Sequence, residues 1–442
     1  MPREFRPYEP DQGLLLPPSL CDWLPEDHLA FFISDAIDAM DLSAFDARYG
    51  DEGPGNQAFD PRMMVKVLVY AYATGTFSSR KIAAKLHEDV ALRVLAADNF
   101  PAHRTISDFR QRHLPEFQAL FVQLVQMARE VGLVKLGTVA VDGSKVKANA
   151  SKHKAMSYVR MKQEEKRLRQ EIRDLTARAR KTDAAEDKRY GKEQRGDELP
   201  AELARRESRL ETIRAARRRL EARQKEEDRR KGREPGDQDR TGKPGKPFKR
   251  RFGEPEEKAQ ENFTDPDSRI MNTKKDGFQQ CYNAQIAVDA KEQVIVAAQV
   301  GQSAADNRSL LPVIDEVERN TARRPRVVLA DSGYKGERNF EGLRERRITG
   351  YIPLGREGQA PARQPDPRLR RTQEMRRKMA TKRGRDRYRK RKHIAEPPFG
   401  WIKECLGFRR FHLRGIEAVR GEWKLMCSAL NLRRMGKNWA WT

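Results

Sequence analysis

Residues 137–151 read GTVAVDGSKVKANAS, and residues 326–336 read RVVLADSGYKG. In the first, Thr138, Ala140 and Asp142 fall on one face and Val139 and Val141 on the other, which predicts a short buried strand ending in an acid and a glycine. In the second, Val327 to Ala330 is a continuous apolar run, a buried strand that ends in Asp331 and then Gly333. Between them, FQQCYNAQIAVDA (278–290) and QVIVAAQVG (293–301) are β-rich runs joined at Lys291-Glu292, a hairpin signal without an Asn-Gly turn. Leu310 to Glu318 and the segment with Glu337, Phe340 and Leu343 have helical spacing, and ITGYIPL (348–354) is another short strand. The order from 137 is β, insertion, ββ, α, β, α, β. That predicts an α/β fold with a sheet of mixed strand direction.

Upstream, residues 17–134 are helical in pattern and residues 1–15 read as an irregular arm. Asp60-Pro61 is a start signal, with Asp as N-cap and Pro in the first turn, and Gly75 is a stop. Ser78-Ser79 caps a second helix, Val90 to Ala97 forms a third, Thr105 with Asp108 reads as a capping box, and Pro115 restarts a helix that ends at Gly132. Arg80, Lys81, Lys85, Arg104, Arg110 and Arg112 on these short helices fit a helix-turn-helix-like DNA-binding unit, or a plain bundle with a solvated basic face.

Downstream of the first strand, residues 156–182 and 197–230 are charge-dense helices with narrow seams. Met161, Leu168, Ile172, Leu175 and Ala179 form one, interrupted by Glu165. Leu203, Leu210, Ile213 and Leu220 form the other, interrupted by Arg206 and Arg217. With a reversal around residues 188–196, they predict an inserted antiparallel hairpin, and residues 231–260 have linker composition.

The 442 residues carry 90 Lys+Arg against 65 Asp+Glu, a formal net charge of +25, and the sequence pI is about 10.0. That excess points to a polyanionic partner, most simply nucleic acid. No run approaches the ~18 apolar residues of a spanning helix, and the N-terminus lacks a signal-peptide core. Four scattered cysteines without a CxxC pair and seven scattered histidines argue against a zinc ribbon or disulfide scaffold and suggest a reducing cytoplasm.

Asp142 and Asp331 each follow a buried strand, where open α/β sheets place ligands. Two carboxylates there can hold two divalent ions about 4 Å apart for in-line phosphoryl transfer, and Mg²⁺ needs only hard oxygen donors. The plain alternative is that each aspartate starts a turn. Glu337, Glu341, Glu374, Glu396, Glu404 and Glu417 are candidates for a third acid. Glu396 stands out because Tyr388, Arg391 and Lys403 surround it. Residues 363–392 hold 15 Lys/Arg against 3 Asp/Glu, a net +12 leading into Glu396, which reads as a DNA track rather than a solvated tail. Phe399 and Trp401 read as core residues, with stacking on an unpaired base as the alternative.

VAVDGSKVKANASKHKAMSY (139–158), ENFTDPDSRIM (261–271), GFQQCYNAQIAVD (277–289), VVLADSGYKGERN (327–339) and YRKRKHIAEPPFGWIKECLGFRRFHLRG (388–415) together resemble a bacterial insertion-sequence transposase of the DDE type. They are most similar to the insertion-sequence 1182 group, related to families with a Tyr-Arg-Glu-Lys signature. FDPRMMVKVLVYAYATGTFSSRKI (59–82) and RTISDFRQRH (104–113) are similar to the family's helical N-terminal part. The resemblance implies an RNase H-like catalytic core with Asp142, Asp331 and Glu396 as catalytic and metal-binding triad, and Tyr388, Arg391 and Lys403 as signature residues. Four residues separate Arg391 from Glu396 where the signature has three, so Lys392 competes for that role. Pro397-Pro398 predict that Glu396 sits at the start or kink of a helix.

The implied domains are a helical DNA-binding unit at 1–134, an RNase H-like domain at 135–155 and 261–442, and the inserted hairpin with basic linker at 156–260. The implied activity is Mg²⁺-dependent DNA cleavage and strand transfer with two ions, for which Mn²⁺ would substitute. The implied partners are terminal inverted repeats and target DNA, contacted by Tyr388, Arg391, Lys403, Arg80, Lys81 and Arg104. A homodimer on paired ends, a cytoplasmic, nucleoid-associated location and no membrane contact complete the expectation. The competing readings are a metal-dependent nuclease or resolvase, a non-catalytic DNA-binding regulator, and a coiled-coil RNA-binding protein that would explain only residues 156–230.

Overall fold

The computed structural model describes residues 19–49, 58–190, 201–236, 241–243, 246–247, 250–273, 275–355 and 366–439. The N-terminal arm, the reversal between the charged helices and residues 363–365 of the basic run lie outside them.

Among the described residues a 3-10 turn at Leu20–Trp23 is followed by seven α-helices: α1 (Leu29–Asp38), α2 (Ser43–Asp46), α3 (Pro61–Ala73), α4 (Ser79–Glu88), α5 (Val90–Leu95), α6 (His103–Arg112) and α7 (Leu114–Glu130). The Asp60 side chain accepts from the backbone N–H groups of Arg62 and Met63, so the start signal of α3 works as read. Gly75 ends the helix at φ +81°, and a Cβ there would come within 2.8 Å of the Leu406 carbonyl. A glycine is therefore required for both conformation and close approach. Thr105 lies inside α6, whose N-cap is Ala102 with no side-chain bond. The T-x-x-D box is not formed, because the helix already starts at His103.

Strand β1 (Thr138–Lys147) is followed by β2 (Ala155–Ser157), α8 (Tyr158–Tyr190), α9 (Ala201–Arg230), β3 (Thr241–Lys243), β4 (Lys246–Pro247), β5 (Gln260–Asn262), β6 (Arg269–Thr273), β7 (Gly277–Asp289) and β8 (Ile295–Gly301). The chain then runs through α10 (Leu310–Thr321), β9 (Val327–Ala330), α11 (Glu337–Glu345), β10 (Thr349–Tyr351), α12 (Arg370–Ala380), α13 (Lys382–Gly400), a π-helical turn at Trp401–Cys405 and α14 (Ile416–Trp439).

The main sheet is mixed. β1 lies at its centre, parallel to β9 and antiparallel to β7. β10 extends it in parallel beyond β9. On its far edge β7 pairs with β6 through Gly277–Cys281 and with β8 through Asn283–Val288. β6 precedes the first strand expected downstream of the insertion. Its sequence, RIMNT, is too short and too polar for a period-2 signal, and pairing with β7 defines it. β1 is also longer than its apolar run suggests. It continues five residues past Asp142 because β7 keeps pairing through Lys147, so Asp142 lies within the strand and not at its end.

Helix α14 packs against α3, α7 and β8, and one continuous apolar core joins the N-terminal helices to the sheet. Its centre includes Trp423, whose indole N–H donates to the Gln285 carbonyl (3.2 Å). A second, smaller core lies between α8 and α9. These two run antiparallel, since Glu171 meets Arg206, Glu165 meets Arg217 and Tyr158 meets Glu221. Glu165 and Arg217, which seem to interrupt the two seams, are ion-pair partners across them, and Arg169 and Arg214 also hold Glu165. Part of 231–260 is packed and not a bare linker. Arg233 is buried on Asp228, whose carboxylate also accepts from Gly253 N–H.

Candidate active site

The parallel register sets Val141 opposite Ala330. The next residue in each segment is an aspartate, Asp142 within β1 and Asp331 just past β9, so the two stand side by side where neighbouring strands run about 5 Å apart. Asp331 also begins a turn, its Oδ1 accepting from Gly333 N–H (2.8 Å). The turn-forming role and the side-by-side placement therefore coexist.

Helix α13 packs across β1, β9 and β10 and carries the remaining groups. Tyr388, Arg391, Ile394 and Ala395 form its buried stripe, while Lys392 and Glu396 are on the exposed side. Arg391, only 9% exposed, donates to Asp142 Oδ2 (3.2 Å) and to Glu396 Oε1 (3.3 Å). Its guanidinium lies 5.9 Å from the Tyr388 ring centre. Arg391 is thus the cation that reaches Asp142, while Lys392 is exposed on the same side of the helix as Glu396. Glu396 is 53% exposed and reaches the group through Arg391.

Four of the five competing acids are engaged with other partners, and Glu341 is exposed on α11. Glu337 caps α12, accepting from Arg371 N–H and from Thr372 N–H and Oγ1. Glu374 pairs with Arg371, Glu404 with Arg409 and Glu417 with Arg420.

Burial pushes the Asp142 carboxyl up to about 6; Arg391 pulls it down, while Asp331 and Glu396 add repulsion. Burial disfavours the Arg391 charge, but Asp142, Tyr388 and Asp331 outweigh that and hold it above its usual value. Burial, more than the neighbouring acids, therefore sets the direction at Asp142, and Arg391 is the largest influence against it. Asp142 and Asp331 are hard oxygen donors on adjacent strands and suit a divalent cation. Glu396 is tied to Arg391, and among the described residues no three His, Cys, Asp or Glu side chains are already grouped to hold a metal.

Lys403 lies in the π-helical turn beyond α13. Its Nζ donates to Ser144 Oγ and to the Lys145 carbonyl (2.9 Å), which ties the turn to β1 just past Asp142. Burial lowers its pKa. Arg80, Lys81 and Arg104 are exposed on α4 and α6, whereas Arg110 is buried and donates to Tyr72 Oη (2.9 Å) and the Phe77 carbonyl (2.8 Å). Arg110 is a core residue, not part of a basic surface. Phe399 stacks on Trp423 (6.2 Å, 18°), and Arg433 lies over the half-buried Trp401 ring at 5.3 Å.

A polar floor escaped the sequence reading. Asp306 Oδ1 accepts from Asn283 Nδ2 (2.6 Å), Gln285 Nε2 (2.8 Å) and Lys145 Nζ (3.0 Å). Tyr334 donates to Gln285 Oε1, and burial with Asp142, Asp306 and Asp331 nearby raises its pKa far above the ordinary value. A Cβ at Gly143 would sit 2.1 Å from the Gln285 amide nitrogen, so the glycine after Asp142 makes room for this floor. The available signal was Asn283 and Gln285 two apart among the apolar residues Tyr282, Ala284 and Ile286, which marks one polar face.

Two comparisons bear on this arrangement. Residues 241–432 match the family model of the transposase DDE domain, and residues 18–112 match that of another transposase domain (DUF772). The chain is thus similar to transposase domains over two separate stretches. These matches support an insertion-sequence transposase, a DNA-cleaving enzyme with DNA as its partner, and DDE domains are RNase H-like in general and use divalent metals. Asp331 and Glu396 fall inside the DDE match, while Asp142 lies upstream of it. No curated protein and no solved structure matches. Among the described residues no helix is long and apolar enough to cross a membrane.

Proposed function

We propose that this transposase belongs to the insertion-sequence 1182 group, binds the terminal inverted repeats of its element, and cleaves and joins DNA with Asp142, Asp331 and Glu396 as its acids. The observation that carries this reading is that Arg391, on the crossing helix, pairs with both Asp142 and Glu396, while Asp331 follows the strand parallel to that of Asp142. Asp142 and Asp331 would hold both divalent ions, with Glu396 completing the second site once Arg391 shares or yields its carboxylate. When bound, Mg²⁺ or Mn²⁺ supplies Lewis-acid stabilisation of the attacking and leaving oxygens. Arg391 keeps the acids together before DNA arrives and presents a guanidinium suited to a phosphate. Lys403 spends two donors on β1 and keeps a third for a backbone phosphate, and Tyr388 supports Arg391 from below.

The exposed cations of α12 and α13 would track the DNA backbone into the site, and Arg80, Lys81 and Arg104 would contact the terminal repeats. In this reading residues 1–134 form the DNA-binding unit, residues 135–155 and 261–442 the RNase H-like catalytic domain, and residues 156–260 an insertion with a coiled-coil-like hairpin. The protein acts as a homodimer on paired ends in the nucleoid.

The test replaces Asp142, Asp331 and Glu396 singly by Ala and measures cleavage and strand transfer in Mg²⁺ beside DNA binding. Each variant is expected to lose both reactions and keep binding. Strand transfer by any one of them removes that residue from the set, and cleavage without joining by the wild-type protein would favour a nuclease.

A further inference from the structure

Pro397 and Pro398 lie inside α13, which nevertheless continues to Gly400. In a regular helix the N–H of residue 397 would donate to the carbonyl of His393. Proline has no N–H, and its ring also crowds that carbonyl. The His393 carbonyl instead accepts from Gln293 Nε2 at 2.7 Å. Gln293 is 100 residues away, in the turn between β7 and β8.

That turn is firmly held. Asp289 accepts from Leu136 N–H (2.8 Å) and Lys291 N–H (2.9 Å), Ala290 N–H donates to the Thr138 carbonyl (3.0 Å), and Arg434 donates to the Gln293 carbonyl. Leu136 and Thr138 lead into β1, the strand of Asp142. A short path of hydrogen bonds therefore runs from the strand of the first acid to the helical turn that carries Glu396. Gln293 also has φ +55°, a left-handed conformation that glycine or asparagine adopts at lower cost. Backbone fitness alone does not favour glutamine here, but the reach of its side-chain amide does. Water could satisfy the exposed His393 carbonyl, yet water would not tie α13 to the hairpin.

We infer that Gln293 is a positioning residue for the third acid: its amide replaces the backbone donor that Pro397 removes and so sets Glu396 against Asp142 and Asp331. The inference rests on the proposed role of Glu396, and its test separates the two.

Gln293→Gly removes the amide while relieving the left-handed strain, and Pro397→Ala restores a backbone N–H facing the His393 carbonyl. Gln293→Gly, Gln293→Gly/Pro397→Ala and Glu396→Gln are compared with wild type as full chains on a duplex carrying the inverted repeats that flank the gene. Gln293→Gly is expected to melt at or above the wild-type temperature and bind the duplex equally, yet cleave about tenfold more slowly, the scale of one well-placed hydrogen bond. Amide exchange over residues 394–405 should quicken in that variant. Adding Pro397→Ala should return both cleavage and exchange towards wild type. Wild-type cleavage by Gln293→Gly, or a double variant no better than the single, overturns the inference. Full cleavage by Glu396→Gln would instead reject Glu396 as the third acid, while the exchange data would still show whether Gln293 holds the helix.

Discussion

Glu422 offers a quantitative test of how the N-terminal helices are joined to the catalytic sheet. It lies on α14 with no exposed surface. Its carboxylate accepts from His412 N–H (2.9 and 3.1 Å), Leu413 N–H (3.0 Å) and Tyr72 Oη (3.1 Å). Buried Arg110 donates to the same Tyr72 hydroxyl; burial raises the Glu422 pKa, and the Arg110 charge works against that. The loop so held pairs with the end of β1: Phe411 N–H donates to the Lys147 carbonyl (2.9 Å) and Lys147 N–H to the Arg409 carbonyl (3.2 Å). Glu422→Ala strands two backbone N–H groups at about 1–3 kcal/mol each. It also leaves the Tyr72 hydroxyl without its acceptor and Arg110 without the nearby negative charge, a further loss of about 1–3 kcal/mol. These overlap, so about 4–6 kcal/mol is expected in total. Glu422→Gln keeps the shape and one acceptor oxygen and should cost about 2–3 kcal/mol. Urea unfolding followed by tryptophan fluorescence measures both, because Trp423 lies in the same core. A loss below about 1.5 kcal/mol for Glu422→Ala, smaller than one stranded donor and one unpaired charge together, would falsify the buried-network argument.

Three further outcomes are expected. Arg391→Gln removes the cation that binds two acids, so Mn²⁺ titrated calorimetrically into the DNA-free protein should bind about tenfold more tightly, while cleavage falls; unchanged Mn²⁺ affinity would mean that the guanidinium does not compete. Replacing exposed Arg385, Arg387, Arg389 and Lys390 by Gln should flatten the dependence of log affinity on log salt by roughly 0.9 per lost phosphate contact, equally on repeat and random duplexes; an unaltered slope would make this face merely solvated. Burial, reinforced by Arg110 and Arg410, holds the His412 pKa down to about 4, below its usual 6.5. The unfolded chain then binds the extra proton first, so this contribution to stability is complete above about 6.5 and lost as pH falls towards 4. His412→Gln should therefore lose less melting temperature than wild type between pH 7 and 5, and equal losses would exclude the histidine as the cause.

Much of the fold was legible in the chain itself, because the signals are local. The caps and stops of α3, the apolar run of β9 and the hairpin of β7 and β8 all follow from neighbouring residues and short periods. The choice between Arg391 and Lys392 was not local. Lys392 is one helical turn from Glu396 and is the nearer partner by spacing alone. The sheet decides otherwise by burying the Tyr388–Arg391–Ala395 stripe of α13, which turns Arg391 onto Asp142. Pro397 likewise predicts a helix start or kink, since the sequence cannot show that a glutamine 104 residues earlier supplies a substitute bond. Asp306 and the floor of Asn283 and Gln285 stayed hidden for the same reason. Their roles arise where β1, β7 and the segment before α10 meet, and a polar residue's meaning in a core depends on partners that only folding brings within reach.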